Sequence, residues 1–242
     1  MWFLGKKKKK RGPLLEVDLH SHIIPGIDDG AQTLEESLSL IKGLSDLGYK
    51  KLIATPHIMS DAYKNSAENI LDGLQKLRQE VEKHQIDIVL EAAAEYYLDD
   101  QFYEELNKPH VMSVAEKYLL FESSYYSKPL QMEDMIFAVG KAGFQPLLAH
   151  PERYRYIKNP EKEYKRFKDL GVMFQVNLNS FAGHYGKGAK ERAFFLAEAG
   201  MIDFLGSDTH HQKQVESLEH VFELDIYHYI FQHNQIRNNE LL

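Results

Sequence analysis

A chain of 242 residues, 43% of them hydrophobic, is long enough to bury one sizeable core. Its formal net charge of −7 argues against nucleic acid as a partner, and no run is apolar and long enough to span a bilayer. With no cysteine it has neither disulfides nor a thiol nucleophile, and nothing points to secretion.

The chain opens on "MWFLGKKKKKRG", three large apolar residues followed by a basic run from Lys6 to Arg11. This lacks the apolar core of a signal peptide, so the protein is expected in the cytoplasm. Residues 1–12 read as a disordered, solubilising tail, with weak peripheral contact to the inner face of an anionic membrane through Lys6 to Arg11 as the alternative. Residues 13–242 read as one domain, with no internal repeat and no linker.

In chain order, "LLEVDLH" predicts a strand and "TLEESLSLIKGLSDLG" a helix. Thr33 caps that helix, Gly48 stops it, and Leu34, Leu38, Ile41, Leu44 and Leu47 follow helical spacing. Strand "KLIAT" and helix "SAENILDGLQKLRQEVEKH" come next. Strand "IDIVLEAAAE" leads through a helical or irregular stretch into strand "KYLLFE". Helix "QMEDMIFAVGKAG" leads into strand "QPLLAH", helix "PEKEYKRFKDLG" into strand "VMFQVNL", and helix "GAKERAFFLAEAG" into strand "IDFLGS". A last amphipathic helix covers about Val215 to His233. Seven strands alternating with helices predict an α/β protein with a parallel sheet, either open and doubly wound or closed into a barrel.

Six of the seven strands end in metal-ligand residue types. They deliver His20 and His22, with Asp28 and Asp29 just beyond; then His57, Glu95, Glu122, His150, and finally Asp208 and His210. The sixth strand, ending "NLNS", is the exception. Parallel strands gather their C-terminal ends on one face, so these residues share a rim. One buried histidine is commonly a hydrogen-bonded core residue; six strand ends with the same placement predict a metal centre. Five imidazoles and four carboxylates exceed the needs of one ion and suit two or three. Without thiolate they suit Mn, Fe, Zn or Co, and closely spaced ions activate water and clamp a phosphoryl group.

The motifs "DLHSH", "ATPH", "AAAEYYL", "LFES", "LAHPERY" and "GSDTHH" resemble the PHP (polymerase and histidinol phosphatase) superfamily. The segments "IPGIDDGA" and "HPERY" are most similar to the manganese-dependent CpsB/YwqE-like family of bacterial capsule-associated protein-tyrosine phosphatases. The resemblance runs from about Glu16 to the last helix. It implies a distorted (β/α)7 barrel and a trinuclear centre of divalent ions, Mn first, with Fe, Zn, Co or Mg as alternatives. It also implies a phosphoric monoester hydrolase acting on phosphotyrosine of a bacterial tyrosine kinase that controls capsule or exopolysaccharide export. Carried over, His20, His22, Glu95 and Asp208 hold one ion. Glu95 bridges to a second, held with Glu122 and His150, and Asp29, His57 and His210 complete the third. Asp28 is the alternative to Asp29.

Arg153 matches a family arginine that grips phosphate, as a guanidinium fork suits phosphate oxygens; a surface pair with Glu152 is the other reading. The family's second arginine is missing from "SDTHHQKQVESLEH". Lys213 is the nearest substitute and His211 an extra histidine, read as exposed or supporting. The implied chemistry is in-line attack by a metal-bridging hydroxide, with no covalent intermediate. Tyr125, Tyr126, Tyr154 and Tyr156 are candidates to stack on the substrate ring. The rival enzyme reading is a small-molecule phosphomonoesterase of the histidinol-phosphatase type. A polymerase-associated nuclease would fit an acidic chain poorly, and a non-catalytic scaffold would have lost ligands.

Overall fold

Each apolar run in the chain pairs with a parallel neighbour, and the pairing closes on itself. The computed structural model describes residues 14–242, so the readings made of the basic tail lie outside the described residues. The strands are β1 (Val17–Ser21), β2 (Lys51–Ala54), β3 (His57–Ile58), β4 (Val89–Ala92), β5 (Glu95–Tyr97), β6 (Tyr118–Glu122), β7 (Gln145–Ala149), β8 (Met173–Asn177) and β9 (Phe204–Gly206). Among them run helices α1 (Leu34–Leu47), α2 (Ala67–Lys83), α3 (Phe102–Leu106), α4 (Met132–Lys141), α5 (Pro160–Asp169), α6 (Leu178–Ala182), α7 (Lys187–Glu198), α8 (Gln212–Glu223) and α9 (Asp225–His233).

The strands pair in the orders β1-β2-β4 and β3-β5-β6-β7-β8-β9, every pair parallel. Two of the seven expected strands are interrupted, which makes nine segments. The run expected to end at His57 breaks at Thr55 and Pro56, because proline has no N–H to give the ladder. The run expected to end at Glu95 breaks at Ala93 and Ala94. Hydrogen bonds from Ala93 N–H to Ala54 O (2.8 Å) and from Glu95 N–H to Pro56 O (3.0 Å) carry the pairing across both breaks. His57 and Glu95 therefore begin short strands instead of ending long ones.

Closure falls between β1 and β9, which excludes an open sheet. Toward the rim, His22 N–H bonds Thr209 O (3.0 Å) and Asp208 N–H bonds His20 O (2.8 Å). At the opposite end the strands are joined by a side chain. Asn238 accepts from Leu205 N–H at 3.0 Å and donates to Val17 O (3.0 Å) and Leu205 O (2.7 Å). One amide thus replaces part of a ladder, and the barrel is distorted there.

Thr33 caps α1 by accepting from Glu36 N–H at 3.2 Å, and Gly48 ends it with a left-handed φ of 109°. The expected last helix is two helices, broken where Leu224 is extended, at ψ 140°. The break returns Tyr227 and Ile230 to the core, with the Tyr227 ring 5.0 Å from Phe222. Val17, Leu19, Ile53, Leu120, Leu147 and Phe204 form an apolar cluster almost wholly of strand residues, while a larger cluster joins strands to helices.

Asn238→Ala removes three buried hydrogen bonds, one to Val17 and two to Leu205. We expect a loss of about 2–3 kcal/mol in urea unfolding. A loss within about 0.5 kcal/mol would show that the amide does not hold β1 to β9.

Candidate metal centre

The C-terminal ends of the strands converge on one rim, and the nine residues named from sequence are all there. His20 lies on β1, and His22 follows it. His57 opens β3, Glu95 opens β5 and Glu122 ends β6. His150 follows β7 directly, Asp208 and His210 lie on the segment just after β9, and Asp29 lies on the loop after β1. His150 and Asp208 have φ of 33° and 50°, a left-handed conformation that costs energy in residues bearing a Cβ. Strain of this kind turns both side chains at the end of their strands. Gly30 is required for a different reason: a Cβ there would lie 2.1 Å from His22 O. The carboxylate-bearing loop can thus fold tightly over β1.

The ligand atoms fall into overlapping groups, each with atoms mutually within 4.8 Å: His22, Asp29, His57 and His210; His20, His22 and Asp208; His20, Glu95 and His150; His57, Glu95 and Glu122. Glu95 is shared most widely. Its carboxylate lies 2.9 Å from His150 Nε2, 3.2 Å from His57 Nδ1, 3.3 Å from His20 Nε2 and 3.5 Å from His22 Nε2. Glu122 lies 3.2 Å from His57 Nδ1 and 3.7 Å from His150 Nε2. Asp29 Oδ1 is 3.4 Å from both His57 Nε2 and His210 Nε2.

Atoms facing away from the cluster are held by other partners. His20 Nδ1 bonds Gln175 Oε1 (2.7 Å) and His22 Nδ1 bonds Asp28 Oδ2 (2.8 Å). Both Nε2 atoms then point inward, 3.2 Å apart. Asp28 also accepts from Gly30 N–H at 2.9 Å and His57 N–H at 3.2 Å, so its oxygens are committed to orientation. Asp208 divides its two oxygens. Oδ1 is 3.5 Å from His20 Nε2 and His22 Nε2, while Oδ2 accepts from Asn177 (2.6 Å), Arg153 (2.8 Å) and Tyr185 (3.3 Å). Sequence reading missed Gln175 and Asn177. Their signal was present: two amides at i and i+2 close an otherwise apolar strand, the one set aside for lacking ligands. Tyr185 carried no comparable signal.

Two imidazole nitrogens aimed at one point, with carboxylate oxygens around it, are the donor set of a cation. The electrostatics agree. Burial alone would lower His57, but Glu95, Asp29 and Glu122 raise it to about 10. Burial alone would raise Glu95, but His20 and His57 hold it well below the usual carboxylate range. Burial likewise opposes ionisation of Asp208, and His20, His210 and Arg153 overcome it. The carboxylates therefore demand positive charge at their centre, which protons on imidazole meet poorly and divalent ions meet well. Buried His57 Nδ1, 3.2 Å from both Glu95 and Glu122, is in hydrogen-bond geometry with neither, as suits an atom that shares an ion with them. The cluster fits two or three ions.

Arg153 stands beside the rim. It pairs with Asp208 instead of Glu152, and its guanidinium is packed between the rings of Tyr125 (4.4 Å) and Tyr185 (4.3 Å). Glu152 is fully buried and accepts from Asn177 N–H and Ser180 Oγ, which removes the surface-pair reading. Tyr154 is buried, with its hydroxyl bonded to Ala149 O, and Tyr156 stacks on it at 5.2 Å. Both serve packing, which leaves Tyr125 and exposed Tyr126 near the opening. Lys213 is exposed on the first turn of α8 and does not line the mouth over Asp29, Asp208 and His210. His211 is exposed at that mouth and caps α8.

A distorted parallel barrel with this rim defines the class, a PHP-type metal-dependent hydrolase. Within that class the chain belongs to the capsular polysaccharide synthesis family CpsB/CapC, whose pattern matches residues 16–220. It is 31% identical over 199 residues to tyrosine-protein phosphatase YwqE of Bacillus subtilis, covering 81% of this chain and 78% of that one. It is 28% identical over 200 residues to tyrosine-protein phosphatase CpsB of Streptococcus pneumoniae, covering 80% and 82%. Among solved structures, a chain from the crystal structures of YwqE and CpsB, described as metal-dependent tyrosine phosphatases, matches with a TM-score of 0.79 at 26% identity, covering 89% of this chain and 91% of that one.

Asp28 and Asp29 can be separated by metal titration. Asp28→Asn, which disturbs the support of His22, His57 and the Gly30 turn and removes no ligand, should weaken affinity by about 10–100-fold and keep the number of ions bound. Asp29→Asn should lower that number. The reverse pattern would make Asp28 the ligand.

Proposed function

We propose that the protein is a metal-dependent protein-tyrosine phosphatase in which His20, His22, Asp29, His57, Glu95, Glu122, His150, Asp208 and His210 hold the ions, with Mn the preferred metal. Its substrate is then a phosphotyrosine on a bacterial tyrosine kinase that controls capsule or exopolysaccharide export, as the relatives' activity and the family's role suggest. The observation that carries the reading is the convergence of these nine residues beside Arg153 on a rim open to solvent.

Divalent ions held in such a site lower the pKa of water and neutralise charge on a transferring phosphoryl group. The protein's own share is positional. Gln175 and Asp28 fix the tautomers of His20 and His22, so that neutral nitrogens face the ions. Arg153 is held by Asp208 and two tyrosine rings, and its remaining N–H groups can meet phosphoryl oxygens without prior reorganisation. The phenolate of tyrosine leaves with little need for protonation, so the reaction does not require a strong general acid from the protein.

Three outcomes test this. A phosphotyrosine peptide should be hydrolysed much faster than histidinol phosphate, in a reaction stopped by chelation and restored by Mn; the opposite preference would favour the small-molecule reading. Arg153→Lys should lower kcat/KM by roughly a hundredfold, because lysine keeps the charge and loses the fork. Unchanged kinetics would show that Arg153 does not clamp phosphate. Because His57 is held protonated up to about pH 10 without metal, ions must displace protons. Calorimetry in buffers of different ionisation enthalpy should show proton release and affinity that tightens as pH rises between about 6 and 9; affinity independent of pH would contradict this.

A further inference from the structure

Charge is gathered at a second place, beside the rim. A cleft of ≈ 500 Å3 shares Arg153 and Tyr185 with the mouth of the metal centre. Arg155, Arg192 and Lys187 line its other walls, and no carboxylate does. Four cations thus face one cavity in a chain whose formal net charge is −7.

Two of these cations are partnered by carboxylates. Arg153 pairs with Asp208, and Lys187 reaches Glu191 at 3.6 Å. Arg155 and Arg192 have no carboxylate within 4.0 Å among the described residues. Arg192 Nε is bonded to Glu152 O (2.7 Å), a neutral acceptor that holds the group in place and leaves its charge uncompensated. Arg155 is exposed over the ring of Tyr126 at 5.0 Å, and its backbone N–H donates to Tyr125 O (2.7 Å). The side chains of Tyr125 and Tyr126 complete the wall next to Arg153.

We propose that this cleft binds an acidic side chain of the polypeptide that carries the phosphotyrosine, so that the enzyme selects sites flanked by aspartate or glutamate. The proposal rests on the phosphatase reading above. A phosphoryl group at Arg153 sits at the junction of the two cavities, and the chain attached to it must leave along the protein surface. Along the cleft it meets two uncompensated guanidiniums and two tyrosine faces, which suit a carboxylate and the apolar part of a peptide. Arg155 and Arg192 then add positive charge beside Arg153, acting on the residues next to the phosphotyrosine and not on the phosphate.

The test compares phosphotyrosine peptides of equal length, flanked by glutamate, glutamine or lysine, on the full chain with its metal. The readout is the ratio of kcat/KM between peptides, measured within each protein. The wild type should favour the glutamate peptide over the glutamine peptide by about fivefold or more, the scale of one or two exposed ion pairs, and the lysine peptide should be poorest. The preference should shrink in about 0.5 M salt. Arg155→Ala should reduce the ratio and Arg155→Glu should invert it toward the lysine peptide. A ratio near one in the wild type, or one that Arg155→Glu leaves unchanged, would overturn the proposal alone. Failure to hydrolyse any of the peptides or a plain aryl phosphate would overturn the phosphatase reading and the proposal with it.

Discussion

Glu95 is fully buried and lies within 3.5 Å of four imidazoles, and the arrangement of the rim depends on it. A carboxylate in that position cannot be left without positive charge, and it is set there by the backbone. Pro56 interrupts one strand, Ala93 and Ala94 interrupt its neighbour, and the two resume in register with His57 opposite Glu95. The interruption that distorts the barrel is therefore also what brings a bridging carboxylate to the centre of the histidines. A regular strand would end differently and would carry Glu95 along an uninterrupted pleat.

Around this centre the residues do two kinds of work. Some offer atoms to the cluster, and others commit those atoms to a direction. Gln175, Asp28 and Asn177 belong to the second kind, and Asp208 does both, one oxygen toward the imidazoles and the other toward Arg153. The phosphate clamp and the metal rim are thus coupled through one carboxylate. Tyr185 ties them further, because its ring packs on Arg153 while its hydroxyl bonds Asp208.

Much of this was legible in the sequence. Alternating apolar strands and amphipathic helices read directly, since their signal is local periodicity. The rim was legible because parallel strands put like ends together, so residue types at strand ends translate into one location. Other features need three-dimensional contact. Whether "HSHIIPGIDDG" offers Asp28 or Asp29 depends on how Gly30 folds against His22. Nothing local in the sequence distinguishes the structural Tyr154 from the cleft-lining Tyr126. The strand breaks at Pro56 and Ala93 are hidden because the apolar pattern runs through them. The helix break at Leu224 has no Gly or Pro to announce it, only the need to return Tyr227 to the core.

Everything at this rim is arranged around cations. Metal analysis of the purified protein, made on the same sample as an assay of aryl phosphate hydrolysis, tests it most directly. Two or three tightly held divalent ions per chain are expected, with hydrolysis rising and falling with their number as they are removed and returned. Full hydrolysis by protein stripped of ions, or a chain that binds none, would contradict it.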